Sequence, residues 1–367
     1  MLYNTVSTLG MTLRLQTSLT ELQIEKMRNG EEMSTGRHFD VAAALGAQTG
    51  RAISLRNIHD QTTNQLKTGA LLDSRFEAMN AAMKNMLDAG TDVLAAASTG
   101  LGQPSSTGSS LQIRARGVLD QIVSQLNASG GNDYLFSGLE VRKPPMRHVD
   151  GDDSGLPSPM QIVRDAIAAA TGGPAAPTDA AQTAAVVATL DQLFAVRDPA
   201  TPPPAPLTDT FEGGFYVGTT AMAPGGAPNP RQTARPDGTA DVSYGVQAND
   251  PYMRDLLQGL YMLAALDTSK LPEDAYPDYM KAAVDKVANG VTGLRNATAR
   301  LGIQHANLKA TNEYHKTSLS ILNRQILDLE SVDPAEASVR FNQLELQIEA
   351  TAAATARISQ MSLSRYL

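Results

Sequence analysis

The chain contains no cysteine and no tryptophan. The first absence excludes disulfides, thiolate zinc sites and cysteine nucleophiles. Five histidines in 367 residues are too few for a histidine-rich metal centre. Aromatic residues make up only 5%. Positive charge is also short: 30 Lys and Arg against 38 Asp and Glu give a net charge of −8, with a pI near 5.2. With no basic run either, binding to nucleic acid through its phosphates is not expected. No segment approaches the roughly 18 consecutive apolar residues of a membrane span, so membrane insertion is not expected. The opening "MLYNTVSTLGMTLRLQ" lacks a basic region, an apolar block and a small-residue cleavage site. That predicts a cytoplasmic protein, or one exported with its N-terminus intact.

What is present is helical periodicity at both ends. Steps of four and three residues from Met280 to Leu329 meet Met280, Val284, Val287, Val291, Leu294, Leu301, Leu308, Leu319, Leu322, Ile326 and Leu329, with Thr298, His305, Asn312 and His315 between them. This is a heptad seam sustained over about seven repeats. A helix of that length runs roughly 75 Å, too long for an ordinary compact domain. Leu72, Phe76, Met79, Met83, Met86, Gly90 and Val93 offer a matching stripe, and Leu111, Val118, Ile122 and Leu126 another. Shorter stripes lie at the extremes: Leu2, Val6, Leu9 and Leu13 at one end, Phe341, Leu344, Ile348 and Ile358 at the other. An apolar stripe gains by leaving water, at about 1.5–3 kcal/mol per buried Leu, Val or Met, so the N- and C-terminal segments are expected to pair. In "SVDPAEA", Asp333 suits a cap, Pro334 the first helical position and Glu336 a capping box, which predicts a break at Ser331–Asp333.

The middle is different. From Pro144 to about Pro230 the chain is rich in Pro and Gly, with an Ala-rich helix candidate at Ala180–Val196. "RPDGTADVSYGV" predicts a β-hairpin with a tight turn at Asp237-Gly238. The fold class expected is mainly α with a β-containing insertion. It comprises a long antiparallel, coiled-coil-like helical shaft built from both ends and an inserted outer α/β or β-rich domain. The expected domains are a terminal helical region (1–35 and 333–367), a shaft (36–140 and 250–332) and the inserted block (141–249).

Candidate chemistry is sparse. Gly100, Gly102 and Gly108 have no following Lys and no preceding strand, so a helix–helix connection is favoured over a phosphate loop. Asp150, Asp152, Ser154 and Gly155 have the opening spacing of a calcium loop, but Gln161 stands where the closing Glu belongs. His305 and His315 lie about 15 Å apart along one helix and cannot share an ion within it. As polar seam residues, with Asn312, they are expected to set register, although pairing with another helix could still bring ligands together. Met11, Met27, Met79, Met83 and Met86 suit adaptable packing. No catalytic residue, cofactor site or metal site is expected, and a binding module or hydrolase carried by the middle block has no constellation behind it.

Three segments carry a family resemblance. "MSTGRHFDVAAALG" is similar to the Ser/Thr-Gly-Arg segment of the bacterial flagellin family. "GGNDYLFSG", with Tyr134, Leu135 and Phe136, resembles the Gly-x-Tyr-Leu-Phe-Ser-Gly signature of that family's hook–filament junction members. "VDPAEASVRFNQLELQIEATAAATARISQMSLSRYL" resembles the C-terminus of the same members, whereas filament flagellins end differently. The Asn/Asp-rich segment usual after the Ser/Thr-Gly-Arg motif is shortened here to "HFDVAAALG".

The resemblance implies a non-enzymatic structural protein of the extracellular flagellum, exported unfolded through the flagellar type III apparatus without a cleaved signal peptide. It implies a ring of identical subunits between hook and filament, contacting a hook-side junction protein and flagellin subunits. A cytoplasmic export chaperone would bind the C-terminal helices. Leu363, Tyr366 and Leu367 would then join the terminal stripes in the assembly surface, and Tyr134–Phe136 would form a short strand at the seam with the outer domain. A filament flagellin is the alternative within the family.

Overall fold

The computed structural model describes residues 8–101, 108–151, 155–199, 210–238 and 242–363. The fold is mainly α with a small β-containing insertion. The predicted seam forms one 55-residue helix, α9 (Tyr276–Glu330). Helix α1 (Thr8–Thr35) is followed by the short α2 (Val41–Leu45), the 50-residue α3 (Thr49–Ser98) and α4 (Gly108–Leu126). A two-residue hairpin, β1 (Ser129–Gly130) and β2 (Asp133–Tyr134), leads into the insertion. That block holds α5 (Pro159–Ala170), α6 (Ala180–Leu193), the distorted helical turn α7 (Phe211–Gly214) and strands β3 (Thr233–Ala234) and β4 (Val242–Ser243). Helix α8 (Pro251–Ala265) precedes α9, and α10 (Pro334–Leu363) follows it. No helix among the described residues is long and apolar enough to cross a membrane.

The chain divides into two compact units: residues 1–64 with 314–367 (unit 1), and residues 65–313 (unit 2). Helices α3 and α9 contribute to both.

Unit 2 holds the hydrophobic core. Met79, Met83, Met86 and Val93 of α3 are fully buried, as are Met280, Val287 and Leu294 of α9. Leu119 and Ile122 of α4 and Leu256, Leu257 and Leu260 of α8 join them, with α4 packed along α8. The α8–α9 approach depends on Gly259 of α8 and on Gly290 and Gly293 of α9. A Cβ on Gly290 would lie 2.5 Å from the Leu256 backbone nitrogen, and one on Gly259 would lie 2.7 Å from the Ala283 carbonyl oxygen. The few aromatics gather where α8 meets the insertion: Phe215 lies 5.0 Å from Phe194 and 5.2 Å, edge-on, from Tyr261. Such pairs favour tilted or edge-to-face rings. Burial pushes the Tyr261 and Tyr279 hydroxyls far above the ordinary tyrosine range.

Local details differ from the expectations or add to them. Helix α4 ends at Leu126, and Gly131, at φ +69°, turns the β1–β2 hairpin. β3 and β4 pair antiparallel, but Ala234 faces Val242, so the connection is longer than a tight two-residue turn. Helix α5 has no counterpart among the predicted elements. Its signals were local: Ser158 accepts from the Gln161 amide as a cap, and Pro159 opens the first turn.

Candidate assembly surface

Unit 1 is built on the antiparallel pairing of α1 with α10. Phe341 of α10 packs against Gly30, whose modest size lets the ring approach to 3.5 Å of a Cβ position. Lys26 lies over the same ring at 4.8 Å and bonds Glu345 at 3.1 Å. Leu344 and Ala337 are buried, at 6% and 2% exposure. The α10 start follows its sequence signals: Asp333 Oδ1 accepts from the Ala335 amide at 2.8 Å, and the helical path is interrupted between Glu330 and Pro334.

The segment after α1 is held by a polar clamp. Gly36, at φ +68°, donates to the Glu32 carbonyl and takes the left-handed conformation that ends helices. The chain then pairs with the α9–α10 turn: His38 donates to the Glu330 carbonyl, the Val332 amide donates to the Gly36 carbonyl, and Arg37 bridges Ser331. The Glu330 side chain is fully buried and receives two bonds of 2.7 Å from Arg56, with Arg37 3.8 Å away. That fork is the strong bidentate form of a charge-assisted hydrogen bond, and it holds the Arg56 guanidinium above its ordinary value. Glu32 pins the other side, accepting from the Phe39 amide at 2.9 Å. Sequence reasoning marked Gly36 and Arg37 within a motif but missed Arg56 and Glu330, which lie 274 residues apart.

A groove of about 700 Å³ opens beside the α1–α10 pair, lined by Arg28, Asn29, Phe39, Arg340, Gln343 and Leu344 among others. Asn29 is 4% exposed, yet neither atom of its amide has a hydrogen-bond partner. Apolar side chains on these helices stay in water: Met27 is 72% exposed and Leu346 66%.

Of the residues expected at an assembly surface, Leu13 is exposed, Phe341, Ile348 and Ile358 are half-buried, and Leu344 is buried. Leu2, Val6, Tyr366 and Leu367 lie outside the described residues, as do the side chains of Leu9 and Leu363. The Tyr134–Phe136 motif lies in unit 2. Tyr134 pairs with Ser129 in the hairpin, and the Leu135 amide donates to the Ala128 carbonyl. Phe136 is fully buried, and its carbonyl accepts from Ala248 at the far end of the insertion. Gly138, at φ +70°, leaves no room for a Cβ beside Gln247 and Thr219.

Two family models match this chain. The bacterial flagellin N-terminal helical region matches residues 6–140, and the bacterial flagellin C-terminal helical region matches residues 284–367; together they span more than half of it. The chain belongs to the bacterial flagellin family. Members of this flagellin family are structural and non-enzymatic, and form part of the extracellular flagellum. The matches enclose α1 to α4 and most of α9 with α10, and stop short of the insertion. No curated protein matches the chain. Among solved structures, one from Vibrio parahaemolyticus described as a flagellar hook-associated protein overlaps at a TM-score of 0.47 with 10% identity, covering 78% of this chain and 99% of that one.

Proposed function

We propose that this flagellin-family chain is the junction subunit between hook and filament, of the hook-associated protein 3 type. It assembles as a ring of identical copies after type III export. The observation behind assembly is unit 1 itself: α1 and α10 pair with each other but leave Met27, Val339 and Leu346 in water and the Asn29 amide unpaired. An unmet buried amide costs about 1–3 kcal/mol, and exposed apolar stripes gain from further burial. Neighbouring copies, a hook-side junction protein and flagellin subunits supply that burial in the flagellum, and an export chaperone covers α10 beforehand. Leu13, Phe341, Leu344, Ile348 and Ile358 take part, together with Leu2, Val6, Leu9, Leu363, Tyr366 and Leu367. The terminal pieces 1–35 and 333–367 act as the assembly region, and block 141–249 acts as an outer domain carried on the helices of 36–140 and 250–332.

The junction role is favoured over a filament flagellin by "GGNDYLFSG" and by the "SLSRYL" ending. Deleting the gene and imaging the cells separates the two readings. The junction role predicts normal hooks that shed monomeric flagellin into the medium. Capped hooks without any filament material would identify a filament subunit instead.

A further inference from the structure

Within unit 2, α3 and α9 bring together three side chains unrelated to the assembly surface. Asp73 and Glu77 stand one turn apart on the same face of α3, the spacing at which helical neighbours meet. His305 of α9 faces them, and the ligand atoms of the three residues all lie within 4.8 Å of one another. The His305 Nε2 is 2.7 Å from Asp73 Oδ1, and its Nδ1 is 3.3 Å from the Asn80 amide nitrogen. The imidazole also stacks on Phe76, with centroids 5.6 Å apart and planes inclined by 11°. One cation already attends the carboxylates: Lys309 Nζ lies 3.3 Å from Glu77 and 3.9 Å from Asp73.

We propose that Asp73, Glu77 and His305 bind a divalent transition metal of the zinc class, which ties α3 to α9. One imidazole with two carboxylates matches a borderline ion; calcium and magnesium take oxygen-only shells. Zinc bonds of about 2.0–2.2 Å place tetrahedral neighbours about 3.3 Å apart. The Asp73–His305 pair needs only a slight opening to reach that spacing, and the exposed Glu77 closes in as it leaves Lys309. Solvent fills the fourth position.

The ring is already oriented as a ligand requires. In the neutral tautomer that a carboxylate at 2.7 Å selects, Nε2–H donates to Asp73 and Nδ1 accepts from the Asn80 amide. With metal on Nε2, that proton leaves to solvent, the Asn80 amide turns over, and Nδ1–H donates to its oxygen. Such outer partners fix the tautomer of a metal-bound histidine, and proton release accompanies binding. Lys309, half-exposed, swings into water as the ion replaces its charge.

The test is a titration of the full chain with Zn²⁺ against a chromophoric chelator, with Tm followed in parallel. One equivalent is expected to bind and to raise the Tm, as any ligand of the native state does. His305→Gln, Asp73→Asn and Glu77→Gln are each expected to weaken binding by more than about tenfold, a loss that even an outer-shell change produces. Lys309→Gln removes the competing ammonium and is expected to tighten binding severalfold. His59→Gln, in unit 1, is the control and leaves it unchanged. Glu77 is 60% exposed at its side chain, so Glu77→Gln keeps the fold and the test stands even if His305→Gln does not. Absence of one-equivalent binding, equal binding by Glu77→Gln, or weaker binding by Lys309→Gln would overturn the proposal.

Discussion

Units 1 and 2 use the same kind of helix for opposite ends. In unit 2 the seams of α3 and α9 close over a continuous core that runs from Phe76 to Leu308 and takes in α4, α8 and the insertion's aromatics. In unit 1, among the described residues, only Ala52, Leu322, Ile326, Ala337 and Leu344 are buried apolar side chains. Met11, Leu13, Ile24, Met27, Ile53, Tyr314, Ile321, Val339 and Leu346 of the same unit are exposed. A helix gains most of its stability from packing an apolar face rather than from propensity. On the proposed assembly, α1 and α10 therefore draw stability from what covers them, whereas unit 2 closes most of its apolar surface within itself.

The sharpest way to break this comparison is to damage each unit in turn. Phe136→Ala empties a fully buried site in unit 2 and is expected to cost about 3–5 kcal/mol, read from chemical denaturation. Gly290→Ala drives a methyl into the Leu256 backbone and should cost about 1–3 kcal/mol or more in the same assay. In unit 1, Asp333→Ala removes the α10 cap, with an expected loss of about 1 kcal/mol seen as faster hydrogen exchange in α10 while unit 2 is unchanged. Leu346→Ser is expected to alter the stability of the free chain by no more than about 0.5 kcal/mol. It should nevertheless lower flagellar incorporation, measured by immunolabelling isolated hook–filament preparations. If Leu346→Ser destabilised the free chain as much as Phe136→Ala, the contrast between the units would fail.

The parts legible in the sequence were those written as local periodicity. The apolar four-three steps of α9 from Met280 to Leu308 are all buried, with Thr298 and His305 half-buried among them, because one helix repeats one geometry along its length. The α10 start was legible in Asp333 and Pro334 because capping is decided within a turn. Helix α5 carried equally local signals in Ser158 and Pro159, which the surrounding Pro and Gly disguised as loop. The Arg56–Glu330 clamp and the meeting of Asp73 and Glu77 with His305 were not legible, since residues hundreds of positions apart share no local pattern. The same holds for the Phe136–Ala248 bond, which ties the buried second half of "GGNDYLFSG" to the far end of the insertion.

Hydrogen exchange with limited proteolysis on the purified, unassembled chain tests the central claim most directly. Fast exchange and early cleavage are expected in residues 1–30 and 333–367, with residues 65–313 protected as one cooperative block. Terminal segments that stayed intact and exchanged as slowly as unit 2 would contradict it, because α1 and α10 would then be stable without any neighbour.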